Sequence, residues 1–500
     1  MKFSSRRTIL PVRAAGSALL LASHLFGAQQ KWAVHEWGTF TSLQNEAGDA
    51  IGGINTDDEP VPQFVHRLAD FLLLQPTEIP PTFFQGAPSC HPDVTMRLET
   101  PVIYFHPPTS QRNVKTANIV VKFRGGWLTE YFPYAEPLAP GLRPRGYEPR
   151  TGQLSMFQFG PLLSSTESKL EWNKLKIGGN WPVTNTSAHV WLSPRAVQAA
   201  SVQTVNGDSE KFLFYRGVAH INAPLKISRD ANTGELLFRS QLEKLPTNQP
   251  LAIHSIWLVD IQSDGKIAFR SLPPLALDHN SKRILAHTPA VFASGDFSSG
   301  NLEKLKASLQ AALVSEGLFA DEAQALLNTW ELSYFKSAGL RVFFLVPRAW
   351  ADFYLPLEIS MPAEINRVMV GRVELVTPEQ RNELQEISQF SPAQIQANAG
   401  QMWTNFYGKI TFNFSTNRPS QKTMQEMNKE LAQVNAGQIK LASFISVPKT
   451  YQTYLDLGRF RNALILDEAK NRPTEGLTNF IATYRLQGYQ PAEISINSAK

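Results

Sequence analysis

A histidine and a glutamate adjoin near the start of the chain, at His35 and Glu36. Neutral imidazole and carboxylate groups are good ligands for transition metals, and the same pair can act in general acid–base catalysis. The pair follows Val34 in a strand-like run, and adjacent residues of a strand point to opposite faces of a sheet. The spacing therefore favours a half-buried strand with one polar face, and a catalytic or metal site at this pair is the alternative.

Three other candidate ligands for a transition metal are His66, Cys90 and His91. A thiolate beside an imidazole, as at Cys90 and His91, suits copper or another soft metal, but a turn with an inert thiol is favoured. No two histidines have the i, i+4 spacing of a helical metal site, so a metal site has to be assembled from distant segments. The residues point to no particular cofactor.

Residues 55–59 (NTDDE) place oxygen atoms at alternate positions, as calcium-binding loops do. However, Pro60 stands where the turn of an EF-hand loop needs glycine, and His66 stands where a bidentate glutamate is needed. The segment therefore favours a solvated acidic loop over a calcium site.

Five charged residues lie within otherwise apolar or aromatic runs: Glu99, Glu130, Arg216, Arg372 and Glu374. A charge that faces a protein core is costly unless it is paired. One interpretation is a convergent polar pocket, in which Glu99 or Glu130 is the acid–base group and Arg216 binds an anion. Strand alternation favours the other interpretation, in which each of these side chains points to solvent.

Aromatic residues near Glu130 offer a stacking platform for a sugar ring, namely Trp127, Tyr131 and Tyr134. On a regular strand Trp127 and Tyr131 share one face, while Glu130 lies on the other. Because that arrangement separates the carboxylate from the indole, ordinary core packing of these rings is favoured over a carbohydrate site.

Several catalytic motifs are absent from the chain: GxxxxGK[ST], GxGxxG, GxSxG, HExxH and CxxC. A nucleotide-dependent enzyme or a standard serine hydrolase is therefore disfavoured. The single cysteine excludes a disulfide scaffold, a zinc finger and any iron–sulfur site that needs several thiolates.

The composition is that of a folded protein with more than one hydrophobic core: 500 residues, 43% of them hydrophobic and 18% charged. The formal net charge is +5, but Lys2, Arg6, Arg7 and Arg13 supply +4 of it within the first 28 residues. Because the remaining chain is close to neutral, no nucleic acid is expected as a partner.

The first 28 residues have the pattern of an export signal, in which basic residues precede the mostly apolar residues 14–26. That stretch is shorter than the roughly 20 residues that span a bilayer. Residues 5–10 (SRRTIL) resemble a twin-arginine signal, and they are equally compatible with a Sec signal. We therefore expect a protein of the periplasm or the cell exterior, tethered if Phe26 prevents cleavage, with no transmembrane segment in the mature chain.

The rest of the chain predicts an α+β fold that begins with a β-rich, sandwich-like body over residues 29–299. Short β-branched and aromatic runs alternate there with turn signals, which is typical of sandwiches. Asn-Gly at residues 206–207 and Asp-Gly at residues 264–265 predict tight hairpin turns.

The pattern becomes helical near residue 300. Leucines at three- and four-residue spacing in residues 302–313, and a capping box at residues 321–324, predict a helical hairpin within residues 300–376. Strands that return to the sheet complete this part. Helical patterns that open on capping boxes continue over residues 377–490, and residues 491–500 form a tail.

Residues 34–42 (VHEWGTFTS), 99–105 (ETPVIYF) and 367–374 (RVMVGRVE) resemble segments of an uncharacterised family of exported bacterial proteins. The resemblance extends over most of the mature chain. It implies export and a single extended architecture, and it implies no reaction and no catalytic residue.

Two functions from different classes are compatible with these features. We expect an exported, non-catalytic binding module for a carbohydrate, an envelope component or a protein, because catalytic motifs are missing and the mature chain is nearly neutral. The alternative is a metal-assisted hydrolase or a redox protein that is exported folded, with its metal ligands drawn from scattered segments. The sequence indicates no oligomeric state.

Overall fold

A computed structural model describes residues 31–492 apart from residues 55, 57–58, 69–76, 84–89, 109–112, 144–145, 149–152, 156–157, 243–244, 246–250 and 411–419. The export signal predicted at residues 1–28 therefore lies outside the described residues. Within the described part of the chain, no helix is both long enough and apolar enough to cross a bilayer. The predicted α+β class is confirmed, with a strand-rich N-terminal body and a helical C-terminal region.

The strands that precede residue 200 all belong to the body: β1 (Trp32–Gln44), β2 (His66–Arg67), β3 (Met96–His106), β4 (Lys115–Arg124), β5 (Gly126–Phe132), β6 (Glu136–Leu138), β7 (Leu142–Arg143), β8 (Gly146–Glu148), β9 (Gln153–Ser155), β10 (Gln158–Phe159) and β11 (Glu167–Gly179). The later strands are β12 (Ser201–Gln203), β13 (Ser209–Glu210), β14 (Leu213–Ala219), β15 (Leu225–Arg229), β16 (Glu235–Ser240), β17 (Leu251–Ile253), β18 (Ile256–Ile261), β19 (Ile267–Leu272), β20 (Leu275–Leu277), β21 (Ile284–Pro289), β22 (Gly339–Leu345), β23 (Leu357–Ile359) and β24 (Ala363–Leu375).

Most helices follow residue 300: α1 (His189–Arg195), α2 (Asn301–Ser315), α3 (Ala320–Thr329), α4 (Glu331–Phe335), α5 (Arg348–Tyr354), α6 (Pro378–Gln389), α7 (Pro392–Ile410), α8 (Gln421–Asn435), α9 (Leu441–Phe444), α10 (Lys449–Asp456), α11 (Arg461–Asn471) and α12 (Glu475–Tyr484). Short 3₁₀ turns lie at Pro81–Phe83 and Ser294–Asp296.

Nine strands form the main sheet, in the order β19-β18-β22-β24-β1-β3-β14-β5-β2. Its central strand, β1, pairs in parallel with β24 and antiparallel with β3. Parallel neighbours cannot be joined by a hairpin, and the rest of the body separates β1 from β24 in sequence. The three segments that resemble the exported family, residues 34–42, 99–105 and 367–374, therefore lie on three adjacent strands at the centre of the sheet.

One face of the main sheet is apolar and packs in a sandwich. A second sheet, in the order β13-β12-β11-β4-β23 with β6 beside β11, lies against it. Val34 and Phe40 of β1 share one hydrophobic core with Ile119 and Val121 of β4. Packing of two sheets around alternate side chains in this way is the arrangement of a β-sandwich.

The other face of the main sheet, which we call the helix-covered face, carries two groups of helices. Helices α2–α4 share a core with Trp37 of β1, and the C-terminal helices α6–α12 share another core with Leu43 of the same strand. Thr39 and Thr41 lie between these two apolar residues and are fully buried. Polar groups on β1 are therefore enclosed between the helical groups.

Turn and capping signals in the sequence predicted several element boundaries correctly. Gly207 (φ 94°) joins the paired strands β12 and β13, and Gly265 (φ 83°) joins β18 and β19. At the start of α6, the side chain of Thr377 accepts a hydrogen bond from the backbone N–H of Gln380. These local signals act over two to four residues, so distant contacts do not override them.

The predicted capping box of Asp321 with Gln324 is wrong. Helix α3 begins at Ala320, and the backbone N–H of Phe319 donates a hydrogen bond to Glu322 Oε2 over 2.7 Å. Glu322 stands three residues after Phe319, which is the position from which a carboxylate caps a helix start. The acidic side chain that caps the N-terminus of this helix is therefore Glu322.

Two glycines of the resembling segments allow close packing in the centre of the sheet. A Cβ atom on Gly38 would lie 2.9 Å from Pro101 Cγ, and one on Gly371 would lie 2.1 Å from Phe344 Cζ. The second distance is well inside van der Waals contact, and a buried aromatic ring has little room to move. Position 371 therefore requires glycine for packing reasons.

We predict that Gly371→Ala lowers the free energy of unfolding by about 1–3 kcal/mol, because it overpacks the core under Phe344. Chemical denaturation of the variant and the wild type measures this. The matched control is Gly400→Ala in α7, where an added Cβ meets nothing within 4 Å; it should stabilise the helix by about 0.5–1 kcal/mol. Equal stability of Gly371→Ala and wild type would contradict the packing argument.

Candidate functional site

Two histidines and a glutamate from three distant segments meet on the helix-covered face. His35 lies on β1, His106 ends β3, and Glu322 is in the first turn of α3. One potential metal-ligand atom from each of these residues lies within 4.8 Å of the other two. We call this group the His–His–Glu triad.

Both carboxylate oxygens of Glu322 take part in the triad. Oε2 lies 2.8 Å from His35 Nδ1, and Oε1 lies 2.8 Å from His106 Nε2. Because Glu322 Oε2 also accepts the backbone N–H of Phe319, one side chain both caps α3 and fixes it to the central strands.

The triad lies close beneath the protein surface. The exposed fraction of the side chain is 8% for His35, 11% for His106 and 0% for Glu322. Phe319 packs against both imidazoles, with ring centroids 4.6 and 4.7 Å apart, and is itself 47% exposed. A partly exposed aromatic side chain therefore contacts both imidazoles.

The Glu322 carboxyl is held in its ionised form. Burial alone would raise its pKa, but hydrogen bonds to His106 and His35, and the backbone N–H of Phe319, hold the pKa below its usual range. An ionised carboxylate beside two imidazoles is the state in which such a group binds a metal cation.

Two imidazoles and one carboxylate form the protein ligand set of catalytic zinc sites and of non-haem iron sites. Three protein ligands leave at least one coordination position for water or substrate. A cleft of about 370 Å³ lies at this end of the sheet. Its lining includes Pro107, which follows His106, and Gln198, whose backbone N–H donates to Asp321 beside Glu322.

Glu36 does not share the site of His35. It lies on the apolar face of β1, fully buried, and its carboxylate accepts hydrogen bonds from Tyr215 Oη and Arg367 Nε. Arg367 also pairs with Asp352 at 2.8 Å. The expected alternation along β1 is present, so a joint catalytic pair at these two positions is wrong.

A second polar group lies between the two helical groups of the helix-covered face. We call it the arginine cluster; its six side chains are each at most 10% exposed and belong to Arg97 and Glu99 of β3, Arg341 of β22, Arg372 and Glu374 of β24, and Arg459 before α11. Buried ion pairs are stabilised only when the remaining donors and acceptors are also satisfied.

Glu99 is the most strongly held carboxylate of the arginine cluster. Its Oε1 lies 3.0 Å from Arg97 Nη1 and 3.1 Å from Arg459 Nη2, and its Oε2 accepts a hydrogen bond from Thr41 Oγ1 over 2.9 Å. Burial opposes ionisation, but Arg97, Arg459 and Arg372 lower the pKa of Glu99 to about 2. A group with this pKa holds no proton near neutral pH, so the acid–base role predicted for Glu99 is not supported.

Glu374 holds the other half of the arginine cluster. Its Oε1 lies 2.5 Å from Arg372 Nη2 and 3.3 Å from Arg341 Nε. The guanidinium of Arg372 also lies over the ring of Tyr334, 4.9 Å from the ring centroid. Residues of α4 therefore close the cluster from the helical side.

Glu130 and Arg216 form a neighbouring buried pair. Arg216 Nη1 lies 3.5 Å from Glu130 Oε2, and Arg67 Nε lies 3.0 Å from Glu130 Oε1. Arg216 also donates to Thr100 Oγ1 and to the backbone oxygen of Glu59. Its guanidinium is thus occupied by the protein itself, and a role in binding an anion stays a prediction.

The five charged strand residues do not point to solvent, and that expectation is wrong. All five are buried, with an exposed fraction of 7% or less: Glu99, Glu130, Arg216, Arg372 and Glu374. Strand alternation places all five side chains on the helix-covered face. They are buried because the helices cover this face, which was expected to meet solvent. The polar-pocket interpretation agrees with their burial and pairing.

The aromatic platform for a sugar does not form. Trp127 and Tyr131 belong to different cores on opposite faces, because β5 contains a bulge between Leu128 and Glu130 that shifts the alternation. Trp127 is fully buried and donates its indole N–H to a backbone oxygen, whereas Tyr134 is 36% exposed. Core packing, the interpretation that the sequence favoured, describes Trp127 and Tyr131.

The three other metal-ligand candidates have contacts of their own. His66 Nε2 lies 2.8 Å from Asp208 Oδ2. His91 Nε2 lies 3.0 Å from the Gly160 backbone oxygen, and burial lowers its pKa. Burial raises the pKa of the Cys90 thiol to about 12, so the thiol is protonated and is a poor metal ligand.

The acidic segment at residues 55–59 is only partly described. Asn55, Asp57 and Asp58 lie outside the described residues. Glu59 is 5% exposed, and its Oε1 accepts the backbone N–H of Ser333 over 3.2 Å. At this residue the expectation of a solvated loop is wrong, because the start of α4 packs against it.

Sequence reasoning placed His35 in a candidate site but missed His106 and Glu322. The His106 signal was present, since a histidine at the end of an aromatic run stands where β3 leaves the sheet. Glu322 was not predicted as a site residue, because the capping box of α3 was assigned to Asp321 and Gln324. Glu322 meets the two histidines through contacts 216 and 287 positions apart in sequence, which no local pattern encodes.

Comparisons with known proteins give no family for this chain. No protein-family model matches it, and no curated protein is significantly similar to it. Among solved structures, the Fcho1 Mu homology domain of Danio rerio with bound Eps15 peptide is 9% identical, with 70% of this chain and 99% of that chain covered, at a TM-score of 0.26. That value is too low to indicate a shared fold.

We predict that Glu99→Gln lowers the free energy of unfolding by about 3–5 kcal/mol at pH 7, because it leaves buried guanidinium groups uncompensated. The folded pKa of about 2 lies below the ordinary value of 4.5. The carboxylate therefore contributes stability above pH 4.5 that is lost as the pH falls towards 2. Urea denaturation between pH 3 and pH 7 measures both effects.

The matched control is Glu358→Gln, which breaks a 2.7 Å ion pair with Lys122 at a carboxylate that is 58% exposed. An exposed pair of this kind contributes at most about 1 kcal/mol. Similar small losses for both variants would contradict the assignment of Glu99 to a buried ionic cluster.

Proposed function

We propose that this is an exported protein that binds one divalent transition metal at the His–His–Glu triad, for metal-assisted hydrolysis or redox chemistry. The observation that carries the proposal is the convergence of His35, His106 and Glu322 from three distant segments. Ordinary packing does not require two imidazoles to meet on one buried carboxylate.

The triad has the chemical properties of an open metal centre. A tetrahedral metal with metal–ligand distances near 2.1 Å separates its ligands by roughly 3.4 Å. In the triad the hydrogen-bonded atoms are 2.8 Å apart and the three candidate ligand atoms lie within 4.8 Å of one another, so changes in separation of at most about 1.4 Å accommodate the ion. Zinc in this site would act as a Lewis acid on a bound water, and iron would support redox chemistry.

The surroundings of the triad agree with a site that a small molecule reaches. Phe319 packs against both imidazoles and is 47% exposed. The 370 Å³ cleft is within the lower range of ligand pockets, and its lining reaches Pro107, the residue after His106, but includes none of the three triad residues. A twin-arginine signal, which carries folded proteins with a cofactor already in place, would suit a metal that has to be loaded before export.

A non-catalytic binding module for a carbohydrate or an envelope component stays a second proposal. It rests on a separate open cleft of about 880 Å³ on the body, lined by polar side chains that include Lys226, Arg239 and Gln241. None of the residues predicted to bind a sugar, Trp127, Tyr131 or Tyr134, lines that cleft. The triad therefore supports the metal proposal better than any feature supports this one.

We predict that the full chain, purified without chelators, carries about one equivalent of a transition metal per molecule. His106→Gln should reduce the metal content to below about a tenth, because a three-ligand site that loses one ligand binds its metal far more weakly. Elemental analysis by mass spectrometry measures this, and circular dichroism checks that the variant is folded.

The matched control is His287→Gln, which changes an exposed histidine that lies 3.1 Å from Glu235. It alters a histidine–carboxylate pair outside the triad and should leave the metal content unchanged. A wild-type protein without stoichiometric metal, or equal metal in both variants, would refute the proposal.

A further inference from the structure

The arginine cluster contains buried polar atoms that the described protein leaves unsatisfied. Arg372 Nη1 has no hydrogen-bond partner among the described residues, and Thr39 Oγ1 and Tyr334 Oη have no partner there except each other. The exposed fraction is 0% for Thr39 and 1% for the other two residues. Such atoms are costly when they stay unpaired, so several in one place indicate an occupant.

These three atoms belong to side chains that lie together. The hydroxyls of Tyr334 and Thr39 interact with each other, which leaves one of the two O–H groups free to donate. The guanidinium of Arg372 covers the Tyr334 ring at 4.9 Å. Thr39 is on the central strand, Arg372 on its parallel neighbour and Tyr334 on α4. The floor of the site is thus the sheet, and one wall is the helical group that packs on it.

The chemistry of these atoms determines that a bound ligand would carry negative charge. A guanidinium N–H only donates, and hydroxyl groups of threonine and tyrosine can donate. Arg97 and Arg459 add positive charge nearby, on either side of Glu99. Since these two arginines make further contacts as well, the atoms left for a ligand are those of Thr39, Tyr334 and Arg372.

We propose that the arginine cluster binds an oxyanion group, carboxylate or phosphate, of a small ligand through Thr39, Tyr334 and Arg372. The guanidinium supplies charge in the planar geometry that suits such groups, and the two hydroxyls complete their coordination. This site is separate from the His–His–Glu triad: four residues of β1, or roughly 13 Å, lie between His35 and Thr39. It does not depend on the presence of a metal.

The test is calorimetric titration of the full chain with inorganic phosphate and, separately, with acetate, at constant ionic strength set by chloride. We expect saturable binding of at least one of the two, and the comparison identifies which oxyanion the site prefers. The double variant Thr39→Val, Tyr334→Phe should weaken that binding at least about tenfold. Without added oxyanion it should melt at the wild-type temperature or above, because it removes both hydroxyls of the contacting pair and leaves neither of them buried alone.

The matched control is Tyr484→Phe in the C-terminal helices, which removes another buried phenol oxygen whose side-chain contact is likewise a threonine, Thr450. It should leave oxyanion binding unchanged. Tyr334→Phe alone provides a second, milder variant with the same expected direction. The proposal is overturned if neither phosphate nor acetate binds the wild type more than chloride does, or if the double variant binds as tightly as Tyr484→Phe.

Discussion

The structure depends on one constraint: the ionisable side chains that are buried on the helix-covered face of the main sheet need partners of opposite charge. A buried charge without a partner costs about 3–5 kcal/mol, which is a large fraction of the stability of a typical domain. Helices close this face at both ends, and the polar residues between them have to be paired within the protein or with something that it binds. The ion pairs of Glu99 and Glu374 satisfy that condition for most of the arginine cluster.

The central strand β1 connects the polar groups on the two faces. His35 reaches Glu322 on one side, Glu36 reaches Arg367 on the other, and Thr41 reaches Glu99 further along. Parallel pairing with β24 places Thr41 opposite Arg372, so the two resembling segments together form the floor of the arginine cluster. One short segment of sequence therefore takes part in the His–His–Glu triad, in the ion pair of Glu36 and in the arginine cluster.

Local signals allowed much of the fold to be predicted, and long-range contacts account for what was missed. Hairpin glycines and the cap at Thr377 depend on a few neighbouring residues, and they were predicted correctly. The five charged strand residues were expected in solvent because alternation fixes the face of a strand but not what covers that face. Trp127 and Tyr131 were expected on the same face of β5, but the bulge places them on opposite faces, since one extra residue shifts the alternation.

For the candidate site, residue type was the only signal available. His35 was identified as a ligand type, whereas Glu322 required the correct start of α3, and His106 required the pairing of β1 with β3. His66, Cys90 and His91 were equally plausible by type and have other partners in the structure. Metal ligands that come from separate elements are defined by tertiary contacts, which is why composition and spacing could not select them.

The central claim is that a metal occupies the His–His–Glu triad. The most direct measurement is anomalous diffraction from crystals of metal-loaded protein, collected on both sides of the absorption edge of the metal found by elemental analysis. We predict a single strong anomalous peak about 2.0–2.2 Å from His35 Nδ1, His106 Nε2 and a Glu322 oxygen. A metal-replete crystal with no peak at this position, or with its peak at another set of side chains, would contradict the account.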